Sequence, residues 1–392
     1  MNIFLAVLKY PPDHSGDGLR LHRFFTRLLR KKSLSRVHVL TSWDGEEARH
    51  SRQLDEIKID RVVEYTGKNK YEKSGKWLKK IAVPFGAVKT AVAFFRASRD
   101  ADIVFTSGAG WFPSLVGWLA WLKRKPLVKE IVLMGADDPM TLKNEKSFFS
   151  RWFFLAPFRR AALVSAVSLP LKESCLAFGL DPEKVWSRTN PVDVSAMPMR
   201  ELENIRSLGS SPMILWVGTV TPRKNVDFLI KAASHLRGPV QVVFIGPCPD
   251  SGYRRALDEF ISLAPPGVEI FFPGPVSETR KLLEWYAKAS LFWFASHREG
   301  TPNVVLESLA CGTPVVTLPV GGSMAAVICR PQDGEIIETD DPRVFAAVVE
   351  RWLVKSPDWK DIAEFNRRRF DAEVIDEEYV SWFRRILEKT NR

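Results

Sequence analysis

The chain has 392 residues, 45% of them hydrophobic, with 57 Lys and Arg against 46 Asp and Glu, a net charge of +11. That length excludes one ordinary core and points to two domains, the composition excludes a disordered or fibrous chain, and no apolar run reaches the roughly 18 residues of a membrane span. The basic balance calls for an anionic partner: nucleic acid, an anionic membrane surface or phosphorylated substrates.

The chain opens on "NIFLAVL", a short apolar run with Lys9 after it and no basic region before it. It reads as a buried first strand rather than a signal peptide. "KYPPDHSGDG" follows as a loop, and "LRLHRFFTRLLRK" has the apolar spacing of a helix. "RVHVLTS", "DIVFTSG", "PLVKEIVLMG" and "ALVSAVS" read as further strands. After the polar stretch "TNPVDVSAMPMRELENIRSLGSSP" the pattern restarts with "MILWVG", "VQVVFIG", "VEIFFPG", "LFWFAS" and "PVVTLPV". Helical segments such as "VDFLIKAASHLR" and "VFAAVVERWLV" alternate with them. Apolar strands alternating with amphipathic helices predict parallel sheets covered on both faces. The expected organisation is two doubly wound α/β domains facing across a cleft, 1–193 and 194–365, with a hinge at Asn190 to Asp193 and a linker to about Pro212. A charged helical tail, 366–392, is expected to pack back on the N-terminal domain. Cys175, Cys248, Cys311 and Cys329 form no CxxC pair and no zinc pattern with histidine, which reads as reduced thiols in an intracellular, cytoplasmic protein.

Ligands of doubly wound sheets bind outside the carboxyl ends of the strands. The loops that follow the strands therefore hold the candidates. "HREGTPNVVLESLACGTPVVTLPVGG" (297–322) carries Glu299 in the loop after "LFWFAS" and Glu307 inside the next helix. Thr301 is suited to cap that helix, Pro302 to be its first residue, and Gly312 to end it. Backbone N–H groups of Gly300 to Asn303 at a helix N-terminus favour an anion. Glu307, one turn further in, is placed to accept two hydrogen bonds from a ribose diol, while Glu299 sits in the loop mouth near a sugar or leaving group. "ILWVGTVTPRKNVDFLI" adds Gly218 at a strand end and Arg223 with Lys224 at a helix start, two cations that suit a diphosphate. "YPPDHSGDGLRLH" offers Gly16 and Gly18 for close backbone approach, with Arg20 following. "FIGPCP" and "FFPGPV" are placed to shape a nucleobase pocket. Taken singly, each of these has a plainer reading: solvated charges, a turn, a helix start. His14 and His297 lie in the same loops and are read as exposed, His297 being the better candidate for a role because it adjoins Glu299.

Together the residues resemble the retaining glycosyltransferases of family 4, with the GT-B fold. The resemblance rests on "EGTPNVVLESLACGTPVV" with its Glu299-x7-Glu307 pair, "VGTVTPRKN", "FFPGPVS", the "TNPVD" hinge and the glycine loop after the first strand. It is dense in the C-terminal half and looser in the N-terminal half. It implies transfer of a hexose-type sugar from a nucleotide diphosphate, UDP or GDP, to a glycan or lipid-linked glycan in polysaccharide or cell-envelope biosynthesis, with anomeric configuration retained and no metal or other cofactor. By position, Glu307 would bind ribose, Arg223 and Lys224 the diphosphate, and Gly16 to Gly18 would approach the phosphate. Glu299 would lie by the donor sugar, with Gly300, Thr301, Pro302 and Asn303 beside sugar and phosphate. Retention by a front-face route implies that a leaving phosphate oxygen takes the acceptor's proton. Two departures stand out. Thr219 occupies the position after Gly218 where many relatives have arginine, and no histidine follows "PLVKEIVLMG". Asp137 and Asp138 are the substitutes there, with a turn or helix cap as the plainer reading.

Between Lys68 and Arg99 nine basic residues are interleaved with Trp77, Phe85, Phe94 and Phe95, and "WFPSLVGWLAWLKRK" and "FFSRWFFLAPFRR" add the same character. These are either core helix faces or an apolar face ringed by cations that contacts an anionic membrane peripherally, on its inner side. Competing functions are a nucleotide-sugar epimerase on the same scaffold, a non-catalytic sugar-nucleotide-binding protein, and a nucleic-acid-binding protein. The Glu299-x7-Glu307 segment speaks against the first, and intact Glu299, Glu307 and Lys224 against the second. The lack of a basic recognition helix, zinc module or RNA-binding aromatic signature speaks against the third, so no nucleic-acid partner is expected.

Overall fold

The computed structural model describes residues 1–12, 16–43, 53–64, 76–145, 147–207, 212–320, 323–355 and 357–390. Contacts divide the chain into unit 1, Met1–Thr189 with Ile375–Arg392, and unit 2, Asn190–Val374.

Unit 1 is built on strands β1 (Asn2–Ala6), β2 (Arg36–Trp43), β3 (Gln53–Leu54), β4 (Ile57–Glu64), β5 (Ile103–Ser107), β6 (Leu127–Ile131), β7 (Leu163–Ala166) and β8 (Val185–Ser187). Their order is β3-β4-β2-β1-β5-β6-β7-β8, parallel throughout except for the short β3–β4 pair. Both faces of the central strands are covered: every residue of β5 and β6 is buried, Lys129 and Glu130 along with the apolar ones. The helices are α1 (Gly16–Arg30), α2 (Lys76–Ala97), α3 (Trp111–Leu122), α4 (Pro139–Glu145), α5 (Phe148–Arg160) and α6 (Leu169–Ala177). The sequence reading passes over β4. Its Lys58, Asp60 and Arg61 break the apolar run, because it lies near the sheet edge beside the two-residue β3.

Unit 2 carries β9 (Met213–Val217), β10 (Val240–Ile245), β11 (Val268–Gly274), β12 (Leu291–Phe294), β13 (Val315–Thr317) and β14 (Gly334–Ile336). The order is β11-β10-β9-β12-β13-β14, all parallel. Counted from β9 this is 3-2-1-4-5-6, the dinucleotide-binding order, whose direction reverses between β9 and β12. Its helices include α7 (Met199–Ser207), α8 (Val226–Ala233), α9 (Ser251–Ile261), α10 (Thr279–Lys288), α11 (Asn303–Ala310), α12 (Pro342–Val354) and α13 (Trp359–Phe370). The expected linker to Pro212 is not structureless. It contains α7, which buries Leu202 in the unit 2 core. Val192 pairs with the chain beside Asp371.

The last helix, α14 (Ala372–Thr390), joins the unit 1 core through Ile375, Tyr379, Val380, Phe383 and Ile386. Two polar clusters fix it there. Arg27 on α1 makes a two-point contact with Asp376 at 2.7 and 2.8 Å. Tyr379 donates to the fully buried Glu130 at 3.1 Å, and Arg20 makes two bonds to the same carboxylate. Among the described residues no helix is long and apolar enough to cross a membrane.

Candidate functional site

In unit 2 the reversal point lies between β9 and β12, so the loops leaving those two strands face one crevice. The loop after β9 runs through Gly218 and Thr219 into a single 3-10 turn, Pro222–Lys224, and then through Asn225 in the left-handed region (φ 54°) into α8. The loop after β12 holds Ser296 to Pro302 and leads into α11. The two loops are stitched together. His297 N donates to Arg223 O at 3.0 Å, and Arg223 Nη1 donates to Arg298 O at 2.8 Å.

Glu299 is the centre of this cluster. Its Oε1 accepts from Lys224 Nζ at 2.6 Å, Arg223 Nη1 at 2.8 Å and Ser296 Oγ at 2.8 Å. Burial pushes the Glu299 carboxyl up, but Lys224, Arg223 and these hydrogen bonds outweigh it and hold it below its usual range. Burial pushes the Lys224 ammonium down, and Glu299 offsets this only in part. The side chain of Lys224 is 15% exposed, that of Arg223 45%, so Arg223 is the more open cation of the pair. One carboxylate against two cations leaves this cluster with a net positive charge.

Strand-end glycines shape the floor. Gly218 N donates to Ile245 O, and Gly246 N to Gly274 O, which links the ends of β9, β10 and β11. Gly246 has φ +142°, and a Cβ on it would stand 1.9 Å from Gly218 O. Only glycine allows that approach.

The helix start differs from the sequence expectation. Pro302, not Thr301, occupies the cap position of α11, no side chain caps it, and Asn303 is the first helical residue. Proline lacks the N–H that a helix would leave unused, which lets it stand at this boundary. Thr301 is buried, and its carbonyl accepts from Asn190 Nδ2 at 3.1 Å. The same Asn190 nitrogen reaches Asn303 Oδ1 at 2.7 Å. The asparagine of the "TNPVD" segment therefore clamps the start of α11. Gly300 is buried in the loop before it. Gly312 ends the region with φ +76°. Glu307 lies on α11, with Oε2 accepting from Tyr286 OH at 3.0 Å.

Thus Glu299, Arg223 and Lys224 are brought into one hydrogen-bonded group, Thr301 and Asn303 are joined through Asn190, and Glu307 is oriented by Tyr286. Ser296 and Tyr286 escaped the sequence reading. Ser296 stands at a strand end, a position that marks it in hindsight, whereas Tyr286 is 21 residues upstream on α10 and carries no such signal.

Gly16, Gly18, Asp137 and Asp138 belong to unit 1. A Cβ on Gly18 would stand 2.3 Å from Lys9 O, so glycine is what lets its own chain approach closely there. Gly16 starts α1 and faces open space. Asp138 is fully buried, with Oδ1 accepting from Thr141 N and Ser174 Oγ and Oδ2 from Gly135 N. That is a helix cap, the plainer of the two sequence readings, and it leaves no open face for substrate. Asp137 is half-buried in the turn after β6, and its Oδ1 accepts from Ala109 N at 2.9 Å. Burial raises its carboxyl above the usual range, against the Ala109 bond and the Lys129 charge. His14, Gly321 and Gly322 lie outside the described residues. The described residues contain no group of three or more His, Cys, Asp or Glu side chains arranged to hold a metal.

Residues 211–355 match the sequence family of group 1 glycosyl transferases. The chain is similar to the D-inositol 3-phosphate glycosyltransferase of Xylanimonas cellulosilytica, 36% identical over 141 residues, which cover 36% of this chain and 33% of that protein. It spans about a third of the length of the curated relatives it first matches, 33% and 36%. Over nearly its whole length it has the fold of two solved structures. HepE of Anabaena, in complex with UDP and glucose, has a TM-score of 0.70 at 17% identity, covering 97% of this chain and 98% of that one. The sucrose-phosphate synthase of Thermosynechococcus elongatus has a TM-score of 0.74 at 18% identity, covering 99% of each. With two doubly wound units, and with the family match lying on the half that carries the Glu299 cluster, the chain is a GT-B-fold protein related to the group 1 glycosyl transferases.

Proposed function

We propose that the protein is a retaining glycosyltransferase that moves a hexose-type sugar from a nucleoside diphosphate, UDP or GDP, to a glycan or lipid-linked glycan acceptor in polysaccharide or cell-envelope biosynthesis. The observation that carries this reading is the Arg223–Lys224–Glu299 cluster at the reversal point between β9 and β12. Relatives named as glycosyltransferases and a fold neighbour solved with UDP and glucose support it.

In this reading Glu307, oriented by Tyr286, takes the ribose hydroxyls. Arg223 and Lys224, with the N–H groups of Gly300, Thr301 and Asn303, hold the diphosphate. Glu299 stands beside the donor sugar. The bond from the sugar C1 to the phosphate oxygen breaks, and its electron pair leaves with the diphosphate. The acceptor oxygen bonds C1 on the same face, and the acceptor's proton passes to the leaving phosphate oxygen. The two cations neutralise the charge that develops there, so turnover does not need a metal. In this reading unit 1 binds the acceptor, through Asp137 and the turn that Asp138 holds by accepting from Gly135 N and Thr141 N.

The test is a thermal-shift screen with UDP, GDP, ADP and their sugar forms in EDTA, followed by transfer assays and NMR of the product's anomeric centre. A nucleotide at about 100 times its Kd stabilises by roughly 2.7 kcal/mol. Loss of that shift in Glu307→Ala and Lys224→Ala, with turnover in EDTA and a retained anomer, is the expected result. Binding without transfer to any acceptor would favour the non-catalytic reading, and an inverted product would end the retaining one.

A further inference from the structure

We propose that the face of unit 1 formed by α2, α3 and α5 docks on an anionic lipid bilayer, with Phe148, Trp152 and Trp121 entering the interface and Lys143, Arg151 and Arg159 meeting lipid phosphates. This deepens the lipid-linked acceptor part of the proposed function and takes its evidence from a different part of the molecule.

The face is built from the sequence upward. Pro157 lies inside α5 and has no N–H to give to the carbonyl one turn back, that of Phe153. Trp118 Nε1 on α3 donates to that carbonyl at 3.0 Å. A Cβ on Gly117 would stand 2.9 Å from Pro157 Cβ, so glycine is what lets the two helices meet there. The contact pins α3 to α5 and fixes the Trp118 ring. Trp152 then packs on it at 4.3 Å between centroids, Trp121 lies edge-on at 5.8 Å, and the Arg160 guanidinium sits 4.4 and 4.6 Å over Trp118 and Trp121. On the α2 side, Lys123 Nζ lies 4.9 Å over the Phe95 ring, extending the surface to the exposed Val88 and Val92.

Part of this aromatic content is ordinary core. Phe94, Phe112 and Phe158 are buried. The remainder is not: Phe148 is 79% exposed, Trp152 63%, Leu122 63% and Trp121 51%. A cluster of large apolar side chains on the surface is the informative exception to normal burial. Beside it runs a groove of about 600 Å³ lined by Lys143, Arg151, Arg159 and Arg160 among apolar residues, and no carboxylate lines it among the described residues. A protein partner's surface would ordinarily offer mixed charge. Aromatic rings beside long cationic side chains, with no acid lining the groove among the described residues, complement the boundary between lipid headgroups and acyl chains.

The experiment is co-sedimentation of the full chain with vesicles of phosphatidylcholine alone or mixed equally with phosphatidylglycerol, at about 0.05 M and about 0.5 M salt. Three double variants are compared: Phe148→Ala/Trp152→Ala, Arg151→Glu/Arg159→Glu, and Arg237→Glu/Lys355→Glu on unit 2 as a charge-matched control. Each is first checked for an unchanged melting temperature and nucleotide shift. Binding to the anionic vesicles at low salt, reduced at least about tenfold by either patch variant and little by the control, is expected. Equal loss in the control would assign the binding to net charge and overturn the proposal. Vesicle binding that is absent, or untouched by the patch variants, would overturn it too, while an intact nucleotide shift in the same samples would leave the proposed function standing. Self-association in sedimentation velocity that Phe148→Ala/Trp152→Ala abolishes, with no vesicle binding, would give the face to a second copy instead.

Discussion

Lys224 Nζ lies 2.6 Å from Glu299 Oε1, so the less exposed of the two candidate phosphate-binding cations is already paired with an acid from the neighbouring loop. In the proposed function a diphosphate entering the crevice would compete with Glu299 for Lys224 and Arg223. Glu299→Gln removes the competitor and keeps the shape. The affinity for UDP or GDP should therefore rise, by roughly 1 kcal/mol or somewhat more for a partly buried charge, while sugar transfer falls by about 100-fold or more. Calorimetric titration beside initial rates separates the two effects. Weaker nucleotide binding in Glu299→Gln would mean that Glu299 positions the cations rather than restraining them.

Glu307 and Tyr286 give a sharper test of the ribose role. The Tyr286 hydroxyl at 3.0 Å fixes Glu307 Oε2, and a charge-assisted bond to a hydroxyl contributes about 1.5–3 kcal/mol. Glu307→Gln should weaken nucleoside diphosphate binding by about ten- to a hundredfold and leave inorganic pyrophosphate binding nearly unchanged. Tyr286→Phe should cost about 1 kcal/mol on the same axis. Equal loss for nucleotide and pyrophosphate would show that α11 as a whole has moved and that Glu307 is not a ribose ligand.

These two acids were legible in the sequence because their surroundings are local: a buried strand, a loop, then a helix within about twenty residues. The central strands were legible for the same kind of reason, since two-sided burial leaves an uninterrupted apolar run, as in "MILWV" and "LFWF". What depends on distant partners was not. Tyr286 reaches Glu307 from another helix, Asn190 reaches Thr301 across 111 positions, and Tyr379 reaches Glu130 across 249. Gly18 shows a different limit. Its sequence position is the one where backbone approaches something closely, but nothing local says that the something is Lys9 of the same chain. Asp138 fails likewise, because the Ser174 hydroxyl that completes its cap lies on α6.

Gly246 should be among the least replaceable residues of the crevice. An alanine Cβ there stands 1.9 Å from Gly218 O and must also accept φ +142°. The backbone conformation costs about 1–3 kcal/mol and the overlap adds about as much. Gly179 provides the control, because φ +88° imposes strain but nothing lies within 4 Å of its Cβ. Gly246→Ala should lower the melting temperature clearly more than Gly179→Ala and should also remove the nucleotide shift. Equal melting temperatures would mean that the ends of β9 and β10 move apart at little cost.

Lys129 predicts a pH dependence of stability with a definite sign. It is fully buried on β6, its Nζ donates to Gly108 O at 3.1 Å and lies 4.6 Å over the Phe158 ring. Burial pushes its ammonium down to about 8, with the Asp137 charge opposing. In the unfolded chain a lysine titrates near 10.4. Between these values the unfolded state binds more protons than the folded one, so this residue's contribution makes stability rise with pH across the window and stay level below it. Lys129→Met keeps the length and removes the charge. The variant should be the more stable of the two at pH 7, and the gap should close by up to about 3 kcal/mol as the pH is taken from 8 to 10.5. Urea unfolding at stepped pH measures the difference directly, and other groups titrating in the window cancel between the two proteins. A gap that stays constant over that range would mean that Lys129 keeps an ordinary lysine pKa, with Asp137 and the Gly108 carbonyl replacing the solvation it loses.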